Sequence, residues 1–291
     1  MEAVAIQLFD GAIRGLIYVA IALSLTIVFG MLRLVNFAHG AFYSVGAYVG
    51  LILAVRIGYF PSIIVALFAL GLVALILDRL VLRLFYGKDP TQQILVTFGI
   101  ALVIQEGLRL IFGGTTQTTT IPPALMHSVG LGFIAYPAIR LVVAGSIILL
   151  VGIVWWFLTG TNYGLIVRAG IRDRTMVALL GGDVDLASRI VLIVGAGIAG
   201  VAGALASPIF GVDPNTGFSF LVPSFVVVVI GGLGSFWGAV IGGILVGELQ
   251  GLTTLVFPSA SDVVIYVAMA VILLLRPQGL LGESELIARA S

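Results

Sequence analysis

The stretch IRLVVAGSIILLVGIVWWFL, residues 139–158, decides the fold. A helix needs about 20 predominantly apolar residues to cross the hydrocarbon core of a bilayer, and here they come with one charge, Arg140, in the first turn. Runs of the same kind recur at 11–31, 38–55, 61–80, 94–112, 190–206, 236–257 and 263–275. Residues 218–233 form a shorter run, which reads as a thin span or a re-entrant half. The expected fold is an all-α integral membrane protein, a polytopic bundle of roughly eight or nine transmembrane helices with one broken or re-entrant segment. Alternation of period two is missing, which argues against a barrel.

Immediately after the quoted run comes a charged island, TNYGLIVRAGIRDRTMVALLGGDVDLASR, residues 161–189. It carries Arg168, Arg172, Asp173, Arg174, Asp183, Asp185 and Arg189 between segments that have almost no charge. Two readings compete: a solvated loop between two membrane helices, or a docking element for a soluble partner. Immediately before the run lies GGTTQTTTIPPALMHSVGLGFIAYPA, residues 113–138, uncharged and rich in Thr, Gly and Pro.

Composition agrees with a membrane class. Hydrophobic residues make up 60% of the chain and charged residues 9%, against roughly 25% charged in soluble domains. Tracts without an apolar span are too short for a separate soluble domain, so residues 1–291 read as a single transmembrane domain. The net charge of +1 gives no nucleic-acid footprint. Cysteine is absent and there are only two histidines, which excludes thiolate sites and a metal cluster built around His39. The start, MEAVAIQLFDG, has no basic n-region, and the apolar run after it is too long for a signal-peptide core. It reads as a retained first span.

Loops rich in Lys and Arg stay in the cytoplasm. Arg79, Arg83 and Lys88 follow the third span, and Arg168, Arg172, Arg174 and Arg189 follow the fifth, so both loops face inward and 113–138 faces outward. Arg276 and Arg289 place the C-terminus inside, which requires 218–233 and the next segment together to cross an even number of times. Counting back puts the N-terminus outside, although Arg14 and Arg33 bias both ends of the first span.

Glycine is abundant, 38 of 291 residues, nearly double the usual ~7%. Gly195, Ala199 and Gly203, and the pairs Gly238/Gly242 and Gly243/Gly247, repeat every four residues, the spacing that lets membrane helices approach closely. In GGLGS, residues 231–235, Gly231, Gly232 and Gly234 crowd together. Each weakens a helix by ~1 kcal/mol relative to Ala, so a break is expected there. A second break falls in VNFAHGAFYSVGAYVG, residues 35–50. Either Asn36 caps the second helix and His39 bonds a neighbouring carbonyl, or the two line a pathway. FGMLRLVNFAHG (29–40) and FGVDPNTGF (210–218) both lead through an Asn-containing break between Gly-rich spans, which hints at an inverted repeat suited to alternating access.

NFAHG at 36–40 followed by Gly46-Ala47-Tyr48, RAGIRDRTMVALLGGDVD at 168–185, and VVVIGGLGSFWGAVIGGILVG at 227–247 closely resemble the membrane permease subunits of ATP-binding-cassette importers for branched-chain amino acids. The nearer type is the shorter of the two permeases in such a system, and the resemblance runs from about residue 11 to 282. One departure is Gly181-Gly182-Asp183, where many relatives have Gly-Ile-Asn.

The resemblance implies a translocation-pore subunit in a prokaryotic cytoplasmic membrane. It would move branched-chain or other hydrophobic amino acids, although similar proteins also serve urea, amides and aromatic acids. Implied partners are a second permease, as heterodimer or homodimer, two ATPase subunits and a soluble substrate-binding protein. ATP and magnesium belong to those partners: G-x-x-x-x-G-K-[ST] is absent, so this chain is not expected to hold a cofactor or to be an enzyme. The resemblance places the ATPase-coupling element at Arg168, Arg172, Asp173, Arg174, Met176, Val177, Leu180 and Gly181. Local chemistry suits a short helix over 174–180, capped by Asp173 and stopped at Gly181, with Met176, Val177 and Leu180 as an apolar ridge and Asp183 or Asp185 capping the next helix. Pathway or gate candidates are Asn36, Phe37, His39, Gly231, Gly232 and Gly234. The 113–138 loop and the turn at 207–217 are either part of the binding-protein seat or a spacer.

Other classes make different demands. An ion-coupled secondary transporter needs a buried ionisable relay, for which Glu106 and Glu248 are candidates; Arg109, one turn from Glu106, offers a simpler local pair. A passive channel for small amides or amino acids would need no charged cytoplasmic ridge. An enzyme finds neither G-x-S-x-G nor H-E-x-x-H.

Overall fold

The structure is a computed structural model that describes residues 2–32, 36–130, 132 and 134–282. Arg33, Val35 and Arg289 lie outside the described residues. The helices are α1 (Glu2–Leu32), α2 (Ala38–Ile57), α3 (Tyr59–Leu80), α4 (Pro90–Phe112), α5 (Ala138–Gly160), α6 (Asn162–Arg172), α7 (Arg174–Leu179), α8 (Val184–Phe210), α9 (Thr216–Gly231), α10 (Phe236–Val256) and α11 (Ser261–Leu275). A hairpin of β1 (Ser128–Gly130) and β2 (Ala135–Pro137) sits in the loop before α5. Eight of the described helices are long and apolar enough to cross a membrane, the last counted from Pro258. The bundle is all-α, as expected.

α9 has 16 residues, about 24 Å at 1.5 Å per residue, short of the ~30 Å core. It begins inside the bundle. Gly217 lies against Gly40 at the start of α2, and its N–H donates to Ser44 Oγ at 2.9 Å. From there α9 descends to the Gly232–Ser235 turn, and α10 returns to the opposite end. The two form an antiparallel hairpin, in which α9 is the short segment expected from the sequence.

Helices α1 and α8 are apolar all round and form the buried centre. Each is crossed antiparallel by a partner that approaches it at glycines. α10 runs along α1, with Gly247 facing Gly11 and Gly15, and Gly243 facing Gly15 and Val19. α3 runs along α8, with Gly71 at Ile193, Gly197 at Leu67, and the Tyr59 hydroxyl donating to the Leu205 carbonyl at 3.0 Å. α2 rises parallel to α8, with Gly46 against Gly200 and Gly50 against Ala204; α9 lies beside α1 through Tyr18 and Phe220. The sequence α1–α2–α3–α4 is thus matched by α8–α9–α10–α11 run in the opposite sense across the membrane. This is the inverted repeat, and the two chain breaks meet at Gly40 and Gly217.

Arg79, Arg83, Lys88, Arg168, Arg172, Arg174, Arg189 and Arg276 gather at one end of the bundle. Asp10 near the start of α1 lies at the other, where Tyr136 donates to its carboxylate and Arg140 pairs with it.

Candidate functional site

The charged island folds as two helices. Thr161 caps α6, its Oγ1 accepting the Gly164 N–H at 3.0 Å. α6 turns Gly164, Val167 and Gly170 inward, and Gly170 lets the helix sit on Met31 at the end of α1. The sequence reading did not separate this helix. Its signal was the three-residue spacing of those small residues, hidden among the arginines.

Asp173 stops α6 and starts α7, with Oδ1 accepting the Met176 N–H at 2.9 Å. α7 spans Arg174–Leu179, Leu180 closes it through a bond from its N–H to the Met176 carbonyl, and Gly181 (φ 81°) reverses the chain. That left-handed conformation is one glycine adopts readily. Asp183, rather than Asp185, caps α8 by accepting the Leu186 N–H at 2.8 Å. Asp185 instead faces Arg174 at 3.7 Å.

The apolar ridge differs from the expected one by one residue. Met176, Leu179 and Leu180 are 53%, 77% and 81% exposed, whereas Val177 is 8% exposed. Val177 is corrected from ridge to core, because the chain folds back over it: the Gly182 N–H donates to the Val177 carbonyl at 2.9 Å. Leu179 takes its place. Arg168 and Arg172 line a cavity of about 530 Å³ with Ile171, Leu233, Gly234 and Leu281, between α6 and the α9–α10 turn.

The base of α8 is braced to α3. Arg189 Nε lies 3.5 Å from Asp78 Oδ2, and the Tyr86 hydroxyl donates to Asp78 Oδ1 at 2.5 Å. Burial, then the bond to Asp78, holds the Tyr86 phenol well above its ordinary range. The sequence reading missed Asp78 because its partners lie outside α3: Tyr86 in the α3–α4 connection and Arg189 on α8.

At the α1–α2 break, Asn36 and His39 are both buried. Asn36 Oδ1 accepts the Ala38 N–H at 2.9 Å in a local turn just before the helix; the N-cap position itself is Phe37, which has no side-chain cap, so Asn36 is corrected from cap to turn residue. Neither ring nitrogen of His39 makes a well-aligned hydrogen bond among the described residues, and the nearest backbone partner of the ring is Asn36. Phe37 packs against Phe98 and Phe225. Gly232 (φ 100°) and Gly234 (φ 82°) form the break after α9, with Gly231 closing that helix. The C-terminal segment clamps it: the N–H groups of Leu280 and Leu281 donate to the carbonyls of Ile230 and Gly231 at 2.8 and 3.0 Å.

At the other end, Gln117 and Val212 exchange both backbone hydrogen bonds at 2.8 Å, and Thr119 donates to Ser207 at 2.8 Å. The outward loop and the 207–217 turn are thereby joined. Glu106 pairs with Arg109 at 3.8 Å, while Glu248 Oε2 is buried against α1 without a partner among the described residues.

Residues 7–274 match the family described as the permease component of the branched-chain amino acid transport system. The chain belongs to this family. The permease is 28% identical over 298 residues to BraD, the high-affinity branched-chain amino acid transport system permease protein of Pseudomonas aeruginosa, covering 96% of each chain. It is 26% identical over 300 residues to LivH, the corresponding permease protein of Escherichia coli, again covering 96% of each. With a probable branched-chain amino acid transport permease protein of Methanocaldococcus jannaschii it shares 28% over 295 residues, 95% of this chain and 92% of that one. The permease is a multi-pass protein of the prokaryotic cytoplasmic membrane and supplies the translocation part of a transport system, a non-catalytic one.

Proposed function

We propose that this permease carries branched-chain or other hydrophobic amino acids into the cytoplasm as half of a pore, beside a second permease or a second copy of itself. Two ATPase subunits that hold ATP and magnesium drive it, and a soluble binding protein delivers the substrate. The observation that supports this is the α7 ridge. Met176, Leu179 and Leu180 stand exposed on a helix fixed at both ends, at the basic end of the bundle. Burying one such side chain is worth about 1.5–3 kcal/mol, so a groove that takes all of them binds firmly, with Arg168, Arg172 and Arg174 at its rim.

The α6–α7 unit touches both halves of the inverted repeat. It packs on the end of α1 through Gly170 and leads directly into α8 through Asp183. A push on α7 by a closing ATPase pair therefore reaches both central helices, and the bundle alternates its openings. The joined outward loop and 207–217 turn offer a seat for the binding protein. Asn36, Phe37, His39 and the Gly231–Gly234 break mark where helices give way during the change.

In proteoliposomes containing the complete complex and its binding protein, Met176→Asp and Leu180→Asp should leave the permease inserted but lower substrate-stimulated ATPase and uptake at least about tenfold. Val177 is unsuitable for this test because it is core. Normal coupling in both variants would overturn the assignment of α7.

A further inference from the structure

A second cavity, of about 540 Å³, lies in the half of the bundle remote from α7. Its size falls within the ~300–1,000 Å³ common for small-molecule sites. The walls come from α1, the end of α8, the first turns of α9, the second half of α10 and the start of α11, so it opens where the re-entrant helix begins. Phe210, Phe218, Phe220 and Val222 give it one apolar wall, and Arg14 and Asp262 bring opposite charges into it.

Neither charge is neutralised by the other. Arg14 lies with its guanidinium carbon 5.6 Å from the centre of the Phe210 ring, and it forms no ion pair among the described residues. Asp262 is held from the side: buried Gln250 donates to Oδ1 at 2.7 Å, and buried Tyr18 in turn donates to Gln250 Oε1 at 2.9 Å. Arg14 lies within a membrane-spanning helix, where an unpaired charge is costly and marks a ligand path, whereas Asp262 stands exposed in the first turn of α11, at the cavity's edge. α9 starts beside them, and the positive end of a half-helix favours an anionic group.

The geometry points to a binding site for the α-amino acid itself inside the permease, with Arg14 taking the carboxylate, Asp262 the ammonium and the Phe210–Val222 wall the side chain. This assignment rests on the proposed amino-acid transport. Urea or an amide would leave both charges uncompensated, and a monocarboxylate would leave Asp262 so. An α-amino acid satisfies both from one carbon, and the aromatic wall favours a hydrophobic side chain.

The test is competition for labelled L-leucine on the purified permease–ATPase complex in nanodiscs, without binding protein. The competitors are unlabelled L-leucine, 4-methylpentanoate, which lacks the ammonium, and 3-methylbutylamine, which lacks the carboxylate. The wild type should prefer L-leucine over each by about tenfold or more. Asp262→Asn should remove the preference over 4-methylpentanoate alone, and Arg14→Gln the preference over 3-methylbutylamine alone. Each preference is a ratio within one sample, so a partly folded preparation still reports it. Equal competition in the wild type, or unchanged ratios in both variants, overturns the site; ATP-driven leucine uptake by the wild-type complex with its binding protein would then show that the transport reading survives. Absence of any such uptake overturns both.

Discussion

Asp78 shows what a single carboxylate does at the junction of two halves. It is buried at the end of α3, accepts the Tyr86 hydroxyl and faces Arg189 at the base of α8. Removing one member of a buried pair leaves the other charge uncompensated, worth about 3–5 kcal/mol when both are fully enclosed. Arg189 is partly open, its side chain 28% exposed, so Asp78→Ala should cost less, about 2–3 kcal/mol. Tyr86→Phe, which removes one hydrogen bond, should cost about 1 kcal/mol. Thermal unfolding in detergent checks the order, and Asp78→Ala with Arg189→Leu should recover part of the loss. A larger loss for Tyr86→Phe would show that the ion pair is not the brace. At this scale the caps were legible: Asp173, Gly181 and Asp183 each sit where their side chain or lack of one is needed. Val177 was not, because Met176, Val177, Leu179 and Leu180 are all apolar on a helix of one and a half turns. Only the return of Gly182 over Val177 decides which of them faces inward.

Helices pair here through missing side chains. A Cβ on Gly247 would collide with the Gly15 Cα and the Gly11 carbonyl, so α1 and α10 touch backbone to backbone. Nothing in lipid drives such a pair apart from close contact. Gly247→Leu should therefore separate α1 from α10 and destabilise the permease by about 3 kcal/mol or more. Gly145→Leu on α5, where a Cβ would meet nothing within 4 Å, should be tolerated. Size-exclusion profiles after graded heating of the two variants distinguish them; equal loss would mean that the glycines are not the contact. The four-residue glycine spacing made this interface legible from sequence, and the crowding of Gly231, Gly232 and Gly234 did the same for the re-entrant turn. α6 was hidden for the opposite reason. Its buried face is mainly Gly164, Val167 and Gly170, too small to register as an apolar stripe beside Arg168 and Arg172.

For the whole molecule, the inverted repeat and the charge distribution make one topological statement. Similarity between 29–40 and 210–218 was faint in sequence, because the repeat conserves direction and contact rather than residue identity; in the structure the two breaks touch through Gly40 and Gly217. Halves related by inversion, joined by α5, α6 and α7, place the two ends of the chain on opposite sides. Positive loops are retained in the cytoplasm, so the end holding Arg168, Arg172 and Arg174 is expected inside, and α1's start and the β1–β2 hairpin outside. The chain has no cysteine, so single replacements report without background. In intact spheroplasts, Ala3→Cys and Ser128→Cys should react with a membrane-impermeant maleimide, since both positions are exposed at the outer end. Thr175→Cys, exposed on α7, should react only after the membrane is opened. Labelling of Thr175→Cys from outside would invert the molecule, move α7 away from any cytoplasmic ATPase, and turn the Arg14–Asp262 cavity toward the cytoplasm.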